Sequence, residues 1–451
     1  MTTQKLVVIG NGMAPGRALE RLLEKAPDAY EITIFNAEPR VNYDRIMLSP
    51  VLSGEKSYED ILIHDDAWYA EHGLTLKKGC KATAIDREKK QVTGADGSVV
   101  DYDKLLIATG SSPFIIPIPG KDLEGVLTYR DLDDVDAMLD AAKSGGSAVV
   151  IGGGLLGLEA AAGLKERGMD VTVLHLMPTL MERQLDTAAG YLDDGTELPA
   201  SIVVMAVGIR PNGDLAREAG LEVNRGIVVD DAMQTSDPDI LAVGECVEHR
   251  GTAYGLVAPL YEMAAVVADR LQDGSATYTG SVTSTRLKVT GIDLFSAGDF
   301  AEGKDREEIV LRDAANGVYK RLVIQEDKLI GIVLYGDTKD GAWFFQLMRE
   351  GASIEEMRET LIFGQNYAGG SPLDPTAAVA ALPDDAEICG CNGVCKSKIV
   401  GAITENGLTS LDEVRARTKA SASCGSCTGL VEQLMAFTLG DGFVPDAVQP
   451  M

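Results

Sequence analysis

Short apolar runs recur along the first half of the chain, each closed by glycine or polar residues. They are Lys5–Ile9 (KLVVI), Glu31–Phe35 (EITIF), Leu105–Ile107, Ser147–Ile151 (SAVVI), Asp170–Leu174 (DVTVL) and Ile202–Val207 (IVVMAV). Unbroken runs of this length predict strands buried on both faces, as in a parallel sheet. Helices are predicted over Arg17–Lys25, Leu158–Arg167 and Tyr254–Ala268, the last with Pro259 in its first turn. Gln91–Val100 reads as a hairpin around Asp96-Gly97. Beyond residue 280 the pattern changes. Ser281–Phe363 alternates polar and apolar residues, which predicts a small antiparallel sheet with a terminal helix or two. Gln365–Asp385 is rich in Pro, Ala and small polar residues and reads as a linker. Three short helices follow, over Lys396–Glu405, Ser410–Lys419 and Gly425–Phe437, the second opened by a capping hydroxyl and early acids.

Two of the runs lead into glycine-rich turns and then helices. The first turn is Gly10-Asn11-Gly12-Met13-Ala14-Pro15-Gly16, with Pro15 in the third glycine's slot. The second is the full G-x-G-x-x-G of Gly152, Gly154 and Gly157, enclosing Leu155 and Leu156. Glycine there permits the tight turn and lets a pyrophosphate approach the helix N-terminus. Glu38 closes the strand after the first loop, where a carboxylate binds ribose hydroxyls. One such loop is also compatible with an ordinary tight turn. Two predict two dinucleotides, one held permanently and one exchanged. The matching position after the second loop carries His175, neither the acid that favours NAD nor an arginine cluster that favours NADP. Only residues 176–201 separate it from the next strand, room for one helix (Met181–Leu192) at most, so this lobe is expected to be abbreviated. Ala108-Thr109-Gly110-Ser111 and Gly208 follow buried strands, as does Gly244-Glu245, whose carboxylate is placed to meet a ribityl hydroxyl. Residues 42–50 contain no cysteine, so no dithiol is expected to take electrons from a flavin.

Five of the seven cysteines lie between 389 and 427. Cys389/Cys391 and Cys424/Cys427 form two pairs, each able to aim two thiolates at one centre. Cys-x-Cys is a tight spacing for zinc, so a [2Fe-2S] cluster is favoured over structural zinc, and a disulfide is less favoured than either. Cys395 has no evident ligand role, and Cys80 and Cys246 read as packed thiols. The length of 451 residues allows about three domains. A net charge of −28 argues against nucleic acid and anionic membrane surfaces. No apolar run reaches membrane-span length and no signal peptide is visible, so a reducing, cytoplasmic location is expected.

Together these motifs resemble the two-dinucleotide flavoprotein family of NAD(P)H-dependent reductases. More closely, the chain resembles the N-terminal half of the large subunit of assimilatory NAD(P)H nitrite reductases. The likeness is carried by VVIGNGMA (7–14), NYDRIMLSPVLSGE (42–55), IGGGLLGLEAA (151–161), AVGIRPN (206–212), AVGECVEHRG (242–251), YGLVAPLYE (254–262), LKVTGIDLFSAGD (287–299), CGCNGVCKSKIVGAI (389–403) and CGSCTGLVEQL (424–434).

The resemblance implies an α/β chain with two Rossmann-like dinucleotide-binding domains, a shortened NAD lobe inserted in the FAD lobe, a small α+β domain and a C-terminal small helical [2Fe-2S] domain. The expected limits are FAD-binding 1–118, NAD(P)H-binding 119–232, FAD-binding return 233–279, third domain 280–364, linker 365–386 and a cluster domain like that of bacterioferritin-associated ferredoxin over 387–451. It implies FAD contacts at Gly10, Gly12, Met13, Ala14, Glu38, Arg45, Ala108, Thr109, Gly110, Gly244 and Glu245. It implies NAD(P)H contacts at Gly152, Gly154, Leu155, Leu156, Gly157, Glu159 and Gly208, and cluster ligation by Cys389, Cys391, Cys424 and Cys427. Relatives often place a lysine where Pro50 stands, so a pairing with Glu159 is not reproduced. The implied partners are a nicotinamide dinucleotide and a sirohaem-containing or other electron-accepting protein, with the nitrite reductase small subunit and a homodimer among the assemblies allowed. No cysteine follows Cys427, so the expectation is electron input without nitrite reduction on this chain. A reductase for a separate ferredoxin or nitrate reductase, or a redox sensor that does not turn over, is the alternative.

Overall fold

The computed structural model describes residues 3–176, 180–181, 200–287, 293–301, 303–367, 379–380, 382–384, 386–389, 392–423, 425 and 427–440. Backbone contacts divide the chain into two compact units. One is Met1–Gly152, Gly163–Leu174 and Leu198–Ser281; the other is Gly153–Ala162, His175–Glu197 and Val282–Met451.

The first unit is built on a five-stranded parallel sheet. Its order is Ile240–Ala242, Lys104–Ile107, Gln4–Ile9, Tyr30–Phe35 and Thr75–Lys77. Ile9 lies in register with both Phe35 and Ile107, so three strands end together beside the first glycine loop. The apolar runs are continuous because helices cover the sheet: Leu6, Val8, Leu105, Leu106 and Ile107 are fully buried. Helices Met13–Lys25 and Val257–Arg270 pack together, contributing Leu19, Leu22, Met263 and Val267 to this core. The first helix starts four residues before the expected Arg17, directly after Gly12. Pro15 fits its first turn because that N–H has no intrahelical partner to lose.

A second parallel sheet in this unit runs Asp170–Leu174, Ser147–Ile151, Ile202–Met205, Val126–Thr128. The short connection therefore still returns Ile202–Met205 to the sheet in parallel. That strand stops at Met205, not Val207. The helix expected over Met181–Leu192 lies, apart from Met181, outside the described residues. Ser111–Pro113 pairs antiparallel with Ile209–Pro211. Ile227–Val229, expected before the boundary at 232, pairs in parallel with Val247–His249.

In the second unit, five antiparallel strands run in the order Ser284–Arg286, Leu294–Gly298, Lys328–Tyr335, Val318–Gln325, Glu307–Asp313. Helix Gly341–Glu350 covers one face, packing Phe344 and Met348 with Phe295, Leu322, Ile324, Ile332 and Leu334 of the sheet. Two cations are buried in the sheet and both are paired: Lys320 with Asp337 at 2.7 Å and Arg321 with Glu308. Helices Lys396–Asn406, Leu411–Thr418 and Thr428–Leu439 follow, the second opened by a full capping box between Ser410 and Glu413. The buried Lys396 ammonium donates to the carbonyls of Ala380 and Leu382 at 2.8 and 2.7 Å. Among the described residues no helix is long and apolar enough to cross a membrane.

Candidate functional site

The first glycine loop is shaped by close backbone approach. Gly10 sits at φ +109°, and a Cβ there would lie 2.2 Å from the Ala108 carbonyl oxygen. No other residue fits that position, which brings Gly10 against Ala108 as both motifs predict. Gly244, at φ +96°, approaches the Ala14 methyl, since an added Cβ would be 3.4 Å from it. Gly12 is different: a Cβ there meets nothing within 4 Å, so the loop opens outward at the helix N-terminus. Asn42 donates to the Gly12 carbonyl at 2.9 Å, and the Tyr69 hydroxyl donates to Asn11 at 3.0 Å. Burial pushes the Tyr69 hydroxyl pKa up to about 12. The buried Asn11 Nδ2 has no partner among the described residues. An open cradle at a helix N-terminus with an orphaned amide donor fits a dinucleotide pyrophosphate.

Beside this loop runs a line of alternating polar groups. Glu38 accepts from the Tyr43 hydroxyl at 2.7 Å and is ion-paired with Arg45. Arg45 donates to the Arg130 carbonyl at 3.1 Å, and Arg130 is ion-paired with Glu245. Glu245 also accepts from the Ser111 hydroxyl at 2.7 Å. Burial raises the Tyr43 pKa well above its usual value, so its hydroxyl stays protonated. Burial works against the Arg45 charge, but the carboxylates of Glu38, Asp131 and Glu245 around it hold that charge on. The line therefore joins the two acids singled out in the sequence, Glu38 and Glu245, through two arginines. Arg45 lay in a quoted motif. Arg130, Asn42 and Tyr69 were missed.

Thr109 and Gly110 are turned to a different partner. The Thr109 hydroxyl donates to the Asn212 carbonyl at 2.7 Å, and Asn212 returns a bond to the Thr109 carbonyl at 2.9 Å. Gly208, at φ +105°, accepts from the Phe114 N–H at 2.9 Å. These contacts tie the two strand exits together. Cys246, next to Glu245, is fully buried; burial pushes its thiol up, and it donates to the Val243 carbonyl at 3.3 Å.

The second loop repeats the first's backbone. Gly152 sits at φ +124°, with an added Cβ 2.3 Å from the Ala206 carbonyl oxygen, while Gly154 opens on nothing within 4 Å. The helix again starts early, at Leu155 instead of Leu158. Gly157 and Glu159 are buried, and Leu156 is exposed. Leu155 packs with Leu158 against Met181, Leu287 and Leu294. His175, at the position after the second strand, bonds the loop's own backbone. Its Nδ1 accepts from the Gly153 N–H at 3.0 Å, which places the ring proton on Nε2. The cradle and the donor set fit a second dinucleotide.

In the cysteine-rich region Cys389 ends the strand Glu387–Cys389 and is fully buried, and Cys427 immediately precedes helix Thr428–Leu439. The Ser421 N–H donates to the Cys389 sulfur at 3.4 Å. The Ser421 hydroxyl bonds that of Thr428 at 2.6 Å, linking the segment of Cys389 to that of Cys427. Asn392 reinforces the link through Ser423 at 2.9 Å and the Lys419 carbonyl at 2.7 Å. Cys391 and Cys424 lie outside the described residues. Buried sulfur accepting an amide N–H is the setting in which cluster thiolates are held, so this donor set fits an iron–sulfur group. Cys395 is half-buried, 3.3 Å from the Ser397 hydroxyl.

Comparison with known proteins accords with this geometry. Residues 4–192 and 187–265, more than half of the chain, match the family model of pyridine nucleotide-disulphide oxidoreductases. Residues 284–352 match the rubredoxin NAD+ reductase C-terminal domain, and 387–436 the BFD-like [2Fe-2S] binding domain. Nitrite reductase [NAD(P)H] of Bacillus subtilis (strain 168) is 46% identical over 98% of this chain and 59% of its own length. The assimilatory nitrate reductase electron transfer subunit of the same organism is 40% identical over 100% of this chain and 62% of its own. This chain thus spans about three fifths of the length of these curated relatives. The crystal structure of NADH:rubredoxin oxidoreductase from Clostridium acetobutylicum superposes with a TM-score of 0.71 and 28% identity, covering 80% of this chain and 99% of that one. The fold shared with that structure is α/β, and the BFD-like [2Fe-2S] match lies at residues 387–436 of this chain. Cradle by cradle and domain by domain, the chain belongs to the pyridine nucleotide-disulphide oxidoreductase family, as an NAD(P)H-dependent oxidoreductase that uses FAD and carries a [2Fe-2S]-binding domain.

Proposed function

We propose that this chain is the electron-input part of an assimilatory nitrite reductase, delivering electrons to a sirohaem-type centre. The observation that carries this reading is the union, in one chain, of two glycine cradles and a domain with two cysteine pairs, similar over nearly its full length to a nitrite reductase. Bound FAD and [2Fe-2S] supply the conversion of a two-electron hydride donor into a one-electron supply, in the order NAD(P)H, FAD, [2Fe-2S], acceptor.

The residues do the holding. Gly10 and Gly12, with Met13 and Ala14 at the helix start, bring backbone N–H groups to the FAD pyrophosphate. Glu38 accepts ribose hydroxyls, oriented by Tyr43. Arg45 and Arg130 place positive charge between Glu38 and Glu245, and Glu245 takes a ribityl hydroxyl. Ala108, Thr109, Gly110 and Gly244 form the close-packed wall. Gly152, Gly154 and Gly157 receive the nicotinamide dinucleotide's pyrophosphate, with Leu155, Leu156, Glu159 and Gly208 around it. Cys389, Cys391, Cys424 and Cys427 ligate the cluster. The domain limits at 118, 232, 279, 364 and 386 follow the same assignment. A homodimer in the cytoplasm suits such a reductase.

The test is an anaerobic titration of the purified chain with NADH and with NADPH, read by visible absorbance and electron paramagnetic resonance. Flavin bleaching followed by a one-electron paramagnetic signal is expected. Material without inorganic sulfide, or flavin that neither dinucleotide bleaches, overturns the proposal. A second reading, electron delivery to a nitrate reductase, is favoured by the 40% identity with a nitrate reductase electron transfer subunit. Reconstitution with each purified acceptor protein separates the two.

A further inference from the structure

We propose that Arg286 is a positioning residue for the [2Fe-2S] centre, holding a fixed positive charge on the ligand loop and raising its reduction potential. The inference rests on the cluster assignment made above and goes beyond it, because Arg286 belongs to no cysteine motif and to no cofactor loop. It ends the strand Ser284–Arg286 at one edge of the antiparallel sheet. Its Nη1 donates at 3.1 Å to the carbonyl of Gly425, the residue between Cys424 and Cys427 in the Cys-Gly-Ser-Cys loop. Gly425 is at φ +70°, and the same carbonyl accepts from the Thr428 N–H at 3.1 Å and the Thr428 hydroxyl at 2.7 Å, so Arg286 bonds an oxygen that also holds the start of the helix after Cys427. The guanidinium is about one-third exposed, and its carboxylate neighbour, Asp293, is 3.7 Å away and mostly exposed. Solvent therefore screens Asp293 more than it screens the contact with the loop.

Further contacts hold the same faces together. Gln433, on the helix that follows Cys427, donates to Gln365 at 3.1 Å. Gly429, in that helix's first turn, has the Lys339 carbonyl as its nearest neighbour across the contact. Among these contacts the cluster domain meets one guanidinium, from the sheet strand ending at Arg286, and one neutral amide, from Gln365 at the start of the linker, and the charged one falls on the ligand loop.

The electrostatic consequence is direct. Reduction adds one electron to a centre held by four thiolates; no bond is made or broken and the negative charge rises by one unit. Arginine remains protonated throughout. A cation fixed beside the loop, in partly desolvated surroundings, favours the more negative state and makes the centre a better acceptor.

The experiment uses the full chain and compares wild type with Arg286→Gln, Arg286→Lys and Gln365→Ala. Iron and sulfide content and the cluster midpoint, from a titration followed by electron paramagnetic resonance, are measured for each. R286Q is expected to retain flavin and to shift the cluster midpoint negative by about 59 mV, the equivalent of a tenfold fall in the reduced-to-oxidised ratio for one electron. R286K is expected to recover at least half of that shift, and Q365A to leave the midpoint unchanged. Iron lost from R286Q but kept in R286K supports the same role. An unchanged midpoint in iron-replete R286Q overturns the proposal. So does iron loss from both arginine variants, or a shift in Q365A as large as in R286Q, since either makes Arg286 simple packing. Wild-type protein without iron and sulfide would instead remove the cluster assignment itself.

Discussion

The two glycine loops have almost the same backbone and very different surroundings. In both, the first glycine adopts positive φ against a neighbouring strand's carbonyl, at Ala108 in one and Ala206 in the other, and the second opens outward. Around the first, Asn42 fixes Gly12, Tyr69 fixes Asn11, and Glu38, Arg45, Arg130 and Glu245 form a continuous line. Around the second, His175 accepts from the Gly153 N–H, and Leu155 and Leu158 pack against Met181, Leu287 and Leu294. The difference teaches that the glycine motif specifies only the cradle. The side chains around it set how firmly the cradle is held. A braced loop suits a dinucleotide that stays through many turnovers, and a lightly held one suits a dinucleotide that must leave.

The comparison is broken most severely at the first glycines. Gly10→Ala forces a Cβ into the Ala108 carbonyl at positive φ, a strain on the order of 3 kcal/mol or more. It should yield protein without flavin, read from the ratio of visible to ultraviolet absorbance. Gly152→Ala carries the same clash with Ala206. It should keep its flavin and lose NADH-driven bleaching about a hundredfold, a loss of roughly 2.7 kcal/mol. Flavin lost equally from both variants would erase the proposed division of labour.

Smaller substitutions sharpen the contrast. Asn42→Ala removes the bond to the Gly12 carbonyl and should weaken flavin retention about tenfold, from roughly 1–1.5 kcal/mol, measured as flavin released on dialysis. His175→Ala should raise KM for NADH about fivefold, from roughly 1 kcal/mol, with kcat and flavin content unchanged. The mildest effect is in alkali. Burial pushes the Tyr69 hydroxyl up to about 12 in the folded chain, from the ordinary phenol value of about 10, so its neutral form is favoured by folding. That contribution is complete below pH 10 and is lost as pH rises toward 12. Wild type should therefore release flavin more steeply than Tyr69→Phe across that window. Parallel release curves would show that this hydroxyl does not brace the loop.

What was legible in the sequence was local. Positive-φ glycines, unbroken apolar strands and paired cysteines leave their mark within a few residues, because the backbone itself demands them. Both helix starts were read late because the glycine-rich turn was taken to run through its last glycine, whereas the first helical turn begins inside it, at Met13 and Leu155. Ile202–Met205 kept its parallel place despite the short connection, since the expected doubt rested on length alone and the strand pairs on both sides, with Ser147–Ile151 and Val126–Thr128. The bracing side chains were illegible for the opposite reason. Arg130 meets Glu245 across 115 residues and Tyr69 meets Asn11 across 58, and an arginine or tyrosine carries no local sign of such a partner. His175 was weighed only against solvent or phosphate, and its bond to the loop's own backbone appears only once strand and loop are in place. For the cluster, spacing singled out the candidate cysteines, while Ser421 and Arg286, which touch the sulfur of Cys389 and the loop of Gly425, carry nothing in their own surroundings to announce it.

The burial of the thiols outside the two pairs turns the chain into its own gauge of integrity. Of seven cysteines, four are assigned to iron, and Cys80 and Cys246 are shut inside the flavin unit's core. Cys395 alone remains half-open. An aromatic disulfide reagent added to intact protein should thus release about one equivalent of chromophore quickly, because a reagent modifies only the sulfur it can reach. A rise in that fast count would register damage to the metal centre before any loss of colour becomes visible.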